Sequence, residues 1–234
     1  MAVSFDPNVT NLSLDLFFND ETLNIFSDAS TKKYFDTLSA CSGAVAVCKD
    51  DIIDQLYDIN SLCTVPAAEL RGIRNSLTIA LANRNKYRVI NLFSDSQIAL
   101  FSLREWIYNW YYNPSAEQFY VRDHAVKNQN IIIECFLMLE DLRRTNIVNL
   151  FHQSAHVEGN YTAIKAALDK FKKFNGITGK IDYNFIRYIS IWNSHVDNNT
   201  RSIIRRTNTI ENDYQDPIEF TAKLNSTLHV NRYD

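Results

Sequence analysis

The chain is 234 residues long, with 46% hydrophobic and 22% charged residues and a formal net charge of −3. That length carries a full hydrophobic core and favours one large domain over two. The acidic balance excludes a protein that holds nucleic acid by bulk electrostatics, so any polyanionic partner must meet a local basic surface or bound cations. Residues 1–22, rich in Asn, Asp, Ser and Thr with scattered Leu and Phe, read as an N-terminal extension packed onto the domain. Residues 23–28 form a first strand, and 42–48 a second whose small side chains suit close sheet packing. Asp50 and Asp51 make a turn, and residues 52–59 return as a third strand, closing an antiparallel meander. Pro66 stands at the start of a helix, a favoured place for it, and Leu70, Ile73, Leu77 and Leu81 form one apolar stripe. Residues 87–95 are apolar at nearly every position, as in a buried central strand. Residues 97–110 read as helix, and Pro114 breaks the segment beyond it. A third helix spans 127–144 with Ile131, Ile132, Cys135, Phe136, Leu139 and Leu142 on its apolar side, and 147–152 is a fifth strand.

Three hairpin strands followed by alternating helices and strands predict an α/β fold. It is a mixed five-stranded sheet, three antiparallel strands and then parallel additions, flanked by helices. Cys41, Cys48, Cys63 and Cys135 form no Cys-x-x-Cys pair and none is near a histidine, which argues against zinc. Cys48 and Cys135 lie in apolar runs and read as free buried thiols of a reducing compartment. No leader pattern opens the chain and no run approaches ~18 apolar residues. The expectation is a cytoplasmic monomer with no membrane contact.

Three acids stand out. Asp28, in Phe26-Ser27-Asp28-Ala29-Ser30, and Asp95, in Phe93-Ser94-Asp95-Ser96-Gln97, close the first and fourth strands, and Glu69 opens the amphipathic helix. Carboxylates so placed are what a metal-dependent phosphodiesterase needs. Their order and neighbours resemble type 1 ribonuclease H. Ala68-Glu69-Leu70-Arg71-Gly72-Ile73 is similar to that family's Ala-Glu-Leu-x-Ala-Ile, and Asp95-Ser96-Gln97 to its Asp-Ser-Gln. Trp106-Ile107-Tyr108-Asn109-Trp110 resembles its Trp-Ile-x-x-Trp helix, and Val126-Lys127-Asn128 its Val-Lys-Asn. The resemblance covers roughly residues 23–156.

The family's fourth acid comes after a histidine, in a helix patterned Asn-x-x-x-Asp-x-x-x-Arg. His156 supplies the histidine, and Glu158-Gly159-Asn160 looks like the usual continuation, but four residues beyond Asn160 stands Ile164, which cannot bind a metal. The full pattern recurs at Asn193, Asp197 and Arg201, so residues 157–192 read as an insertion with its own amphipathic helix (Ala163, Ile164, Ala167, Leu168, Phe171) and a turn at Gly176 and Gly179. Asp169 is the rival ligand, without the motif neighbours. The implied organisation is an extension (1–22), a catalytic domain (23–205) carrying the insertion, and a tail (206–234).

The resemblance implies an endonuclease that hydrolyses the RNA strand of RNA/DNA hybrids, leaving 5′-phosphomonoesters. Two Mg²⁺ ions, replaceable by Mn²⁺, would be held by Asp28, Glu69, Asp95 and Asp197, with His156 assisting proton transfer or product release. Ser30, Gln97, Asn128 and Asn193 match polar positions that contact substrate, and Trp106 and Trp110 either touch the DNA backbone or belong to the core. Ala29 stands where glycine is usual, and residues 111–118 carry no Lys or Arg where many cellular members have a lysine-rich protrusion. Weak hybrid affinity with a shallow salt dependence is therefore expected. The rivals are another nuclease on this scaffold, acting on DNA or structured RNA, and a non-catalytic nucleic-acid-binding or scaffolding module.

Overall fold

The computed structural model describes residues 12–34, 37–154 and 161–211. In chain order these form β1 (Thr22–Tyr34), β2 (Thr37–Cys48), β3 (Asp51–Asn60), α1 (Val65–Asn83), β4 (Val89–Ser94), α2 (Gln97–Arg104), β5 (Tyr111–Asn113), β6 (Gln118–Val121), β7 (His124–Ala125), α3 (Gln129–Arg143), β8 (Ile147–His152), α4 (Tyr161–Asn175) and α5 (Tyr183–Glu211). The main sheet has the order β3-β2-β1-β4-β8, antiparallel through the first three strands, with β4 and β8 parallel to β1. This is the mixed five-stranded arrangement predicted from sequence.

Strand alternation builds a core on each face of that sheet. Leu23 and Ile25 of β1, Ile90 and Leu92 of β4 and Val148 and Leu150 of β8 point one way, onto the apolar sides of α1, α2 and α3. Phe26, Phe93 and Phe151 point the other way, against α4, α5 and the N-terminal residues Leu12 and Phe17. The three phenylalanines share one register, so their rings stack in a ladder with centroids 4.7 and 5.1 Å apart. Two residues back along each strand, Asn24, Asn91 and Asn149 form a second ladder. Asn149 Nδ2 donates to Asn91 Oδ1 and Asn91 Nδ2 to Asn24 Oδ1, each at 2.9 Å, and Asn24 Nδ2 donates to the Phe17 carbonyl at 2.7 Å. Buried amides are costly when unpaired; here each one satisfies the next, and the last ties the N-terminal segment to β1.

Four local readings differ from the structure. β1 runs on to Tyr34, so Asp28 lies within the strand rather than closing it, and β2 begins at Thr37 rather than at residue 42. The helix expected over 97–110 stops at Arg104, because Glu105 leaves helical geometry (φ −133°, ψ −50°), and a short 3₁₀ turn, Trp106–Asn109, comes after it. The turn lets Trp106 stack on Phe101 and Trp110 reach Phe119, so aromatic packing overrides helical propensity. Residues 111–125, read only as a break around Pro114, form the small antiparallel sheet β5-β6-β7. Its aromatic and β-branched residues were a strand signal. Cys48 is only half-buried; Cys41, Cys63 and Cys135 are the buried free thiols.

Within the expected insertion, residues 161–175 and 183–192 are helical. α4 packs against β8 and α5, whereas α5 lies along β1 and β2 and continues to Glu211, past the expected domain limit at 205. No helix among the described residues is long and apolar enough to cross a membrane.

Candidate active site

Parallel pairing sets the site. Ser27 of β1 lies opposite Ser94, the last residue of β4, and the next residue of the chain in each case is the acid, so Asp28 and Asp95 emerge side by side from two inner strands, at the C-terminal end of β4. Glu69 arrives from α1, as the fifth residue of that helix. The helix begins at Thr64, whose hydroxyl accepts from the Ala67 amide, with proline within its first two positions. Ser42 Oγ donates to the Ala68 carbonyl at 2.8 Å and Asn75 Nδ2 donates to the Ser42 carbonyl at 3.2 Å, fastening α1 to β2 beneath the glutamate. Gly72 allows the approach: a Cβ there would lie 3.3 Å from the Asp28 carbonyl oxygen.

One carboxylate oxygen from each of Asp28, Glu69 and Asp95 lies within 4.8 Å of the others. Burial pushes Asp28 up to about 7, with Asp95 and Asp197 adding repulsion and the Thr200 hydrogen bond opposing it. Burial likewise pushes Glu69 up to about 9, with Asp95 and Asp28 adding to it. Glu69 Oε2 is buried and has no hydrogen-bond partner among the described residues. Three crowded oxygen ligands, one of them orphaned, fit a hard divalent cation, which prefers carboxylate oxygen and would remove their mutual repulsion.

Asp197, on α5, lines the same cleft of about 440 Å³ as these three acids, together with Ser30, Lys32, Arg201 and Arg205. Its carboxylate accepts from Arg201 Nε at 2.7 Å, the i,i+4 pair of the Asn-x-x-x-Asp-x-x-x-Arg pattern. Asp169 is exposed on α4 and does not line the cleft. Long-range packing thus brings the later acid, and not the nearer one, to this cleft.

The remaining sequence candidates scatter. His156 lies outside the described residues. His152, at the end of β8 and without a motif to single it out in the sequence, is 4% exposed, and its Nε2 contacts the Asp95 carbonyl oxygen at 3.0 Å. Burial lowers its pKa, and the ring braces the Asp95 backbone. Ser30 lines the cleft, but its hydroxyl pairs with Thr200 at 2.9 Å. Asn193 is buried, 6% exposed, one turn before Asp197. Gln97 is exposed at the start of α2, two residues from Asp95. Asn128, in left-handed geometry (φ 57°) before α3, lines a separate apolar cavity of about 550 Å³ with Pro66, Trp106, Trp110 and Ile132. Trp106 is 43% exposed, while Trp110 packs against the core.

The fold and its cluster of acids define a protein of the ribonuclease H class. The RNase H family model matches residues 20–171, and the chain belongs to that family. The match ends within α4, before the helix that carries Asp197. RNase H1 from the halophilic archaeon Halobacterium salinarum is 17% identical, with a TM-score of 0.39, over 57% of this chain and 86% of that one. The RNase H domain of prototype foamy virus is 16% identical, with a TM-score of 0.45, over 66% and 92%. A foamy viral protease-reverse transcriptase in complex with RNA/DNA hybrid is 17% identical, with a TM-score of 0.45, over 66% of this chain and 20% of that one. No curated protein sequence matches the chain.

Proposed function

We propose that this protein is a metal-dependent endonuclease that hydrolyses the RNA strand of RNA/DNA hybrids. The observation that carries the reading is the convergence of Asp28, Glu69 and Asp95 within 4.8 Å on the scaffold of this family, with Asp197 facing the same cleft. These four side chains would hold two Mg²⁺ ions, with Asp28 central to the set. Ions so held supply an activated water for attack on the phosphate and stabilise the leaving 3′ oxygen. The chain's own residues prepare that chemistry. α1 and the parallel β1/β4 register pre-position the carboxylates, and the Asp95 backbone is braced by His152. Lys32, Arg201 and Arg205 line the cleft and give a chain of net charge −3 a local cationic face for the phosphate backbone.

The test is cleavage of an RNA/DNA hybrid, double-stranded RNA and double-stranded DNA with Mg²⁺ or Mn²⁺, alongside Asp95→Asn and Asp197→Asn. Hybrid cleavage is expected to be preferred and to fall by more than about 100-fold in both variants, since even partners of metal ligands are worth 10–100-fold. Asp169→Asn is expected to cleave as the parent does. Wild-type activity in Asp95→Asn would sink the mechanism, and cleavage confined to double-stranded DNA would move the substrate to the rival nuclease reading.

A further inference from the structure

Thr200 occupies an unusual position. It lies one turn beyond Asp197 on α5 and is 0% exposed, and its hydroxyl touches three oxygens. It is 3.0 Å from Asp28 Oδ2, 2.9 Å from Ser30 Oγ and 2.9 Å from the Asp197 carbonyl oxygen. A hydroxyl has one proton to give and can accept from others. With a cation bound Asp28 is ionised, and its carboxylate, like the Asp197 carbonyl, can only accept, so the two compete for that one proton. A mid-helix threonine ordinarily turns it back to its own helix. Here the charged competitor makes the stronger bond, and Ser30, free to donate, fills the acceptor side. The three groups then form one directed chain, Ser30 to Thr200 to Asp28.

The surroundings are built around this contact. Asp28 and Ser30 lie on the same face of β1, two residues apart, which is the strand repeat. Gly43 of β2 stands directly opposite Asp28, and a Cβ there would lie 2.7 Å from Thr200 Cγ2. The missing side chain is the space in which the threonine sits. A second tie lies alongside, where Asn199 Nδ2 donates to Tyr57 Oη at 2.8 Å.

We propose that Thr200 is a positioning residue for the metal site. By holding one oxygen of Asp28 and packing into the gap over Gly43, it fixes the rotation of the central carboxylate and makes docking of α5 a condition of cation binding. The proposal rests on the metal-site reading above and adds to it. α5 is reached only through the α4 segment, yet it carries the fourth acid. The Thr200 bond links the arrival of that helix to the orientation of a carboxylate on β1, so that the four acids are assembled together. Ser30 belongs to this linkage rather than to the substrate contacts the sequence suggested.

The experiment measures Mn²⁺ affinity of the full chain by titration calorimetry, independently of hydrolysis, for wild type, Thr200→Val, Thr200→Ser, Ser30→Ala and Asp28→Asn. Valine keeps the shape and loses the hydroxyl, and its affinity is expected to fall about 10–100-fold. Serine keeps the hydroxyl and is expected to stay within about threefold of wild type. Ser30→Ala leaves α5 untouched and is expected to lose about fivefold, the worth of one net hydrogen bond; it carries the test if the valine variant does not fold. Wild-type affinity in Thr200→Val, or an equal loss in valine and serine, overturns the positioning role while the metal site stands. Wild-type affinity in Asp28→Asn overturns the site itself and the proposal with it.

Discussion

Gly43→Ala is expected to damage both the fold and the site, although the glycine carries no chemistry. An added Cβ would lie 2.6 Å from Cδ1 and Cε1 of Tyr57 and 2.7 Å from Thr200 Cγ2. Carbon atoms are comfortable at about 3.5–4.0 Å, so ring and helix must each retreat by about 1 Å. Neither has an independent escape, because Tyr57 Oη is bonded to Asn199 of the same helix. Both clashes therefore lift α5 from the sheet, and with it the Thr200 bond to Asp28 and the approach of Asp197. Overpacking of this kind costs about 1–3 kcal/mol, and a misplacement of about 1 Å near a reacting centre can cost about 100-fold in rate. Gly72→Ala is the control. Its Cβ would meet the Asp28 carbonyl at 3.3 Å and Ser27 Cβ at 3.5 Å, a tight contact offset by the ~1 kcal/mol that alanine gains over glycine in a helix. Urea unfolding and hybrid cleavage read both variants. Gly43→Ala should lose stability and nearly all activity, and Gly72→Ala should stay within about 1 kcal/mol of the parent. A Gly43→Ala protein that unfolds and cleaves like wild type would refute the claim that α5 docks through this gap.

Two further outcomes are expected. Asp28 and Glu69 bind protons more tightly folded than unfolded, rising from 3.8 to about 7 and from 4.5 to about 9. Between about pH 4 and 9 the fold therefore holds more protons than the unfolded chain, and these groups lower stability as pH rises, Asp28 alone by up to about 4 kcal/mol. Without divalent cation, thermal stability should fall from pH 5 to 8, and Mg²⁺ or Mn²⁺ should restore it most at the higher pH; a metal effect independent of pH would contradict the assignment. Asn175→Ala should cost about 2–3 kcal/mol in urea unfolding. The Asn175 amide pairs with both N–H and C=O of His152 at 2.9 Å and accepts from Arg104 at 3.2 Å, so α4 covers the end of the edge strand β8. Unchanged stability, or an unchanged hydrogen-exchange rate at the His152 amide, would show that α4 is dispensable there.

The legible parts of the site were those written in local pattern. An acid following an apolar run, or near the start of an amphipathic helix, declares its element, and elements in that order determine which strands lie together, although β1 continues past Asp28 to Tyr34. Asp28, Glu69 and Asp95 were visible for this reason, and so were the five main strands. Residues set by distant partners were not. Asn24, Asn91 and Asn149 are ordinary polar residues in strands until the parallel register lines them up, and the break at Glu105 depends on where Trp106 and Trp110 find aromatic neighbours. The sequence by itself determined the class of fold and the elements that carry three of the carboxylates, because strand and helix periodicity are properties of neighbouring residues. The Asn-x-x-x-Asp-x-x-x-Arg pattern pointed to Asp197, but only the tertiary structure decided how its helix, α5, seats over β1. That seating depends on a glycine gap, a threonine and a phenylalanine-lined face drawn from distant segments, Gly43 and Thr200 alone being 157 residues apart (200 − 43).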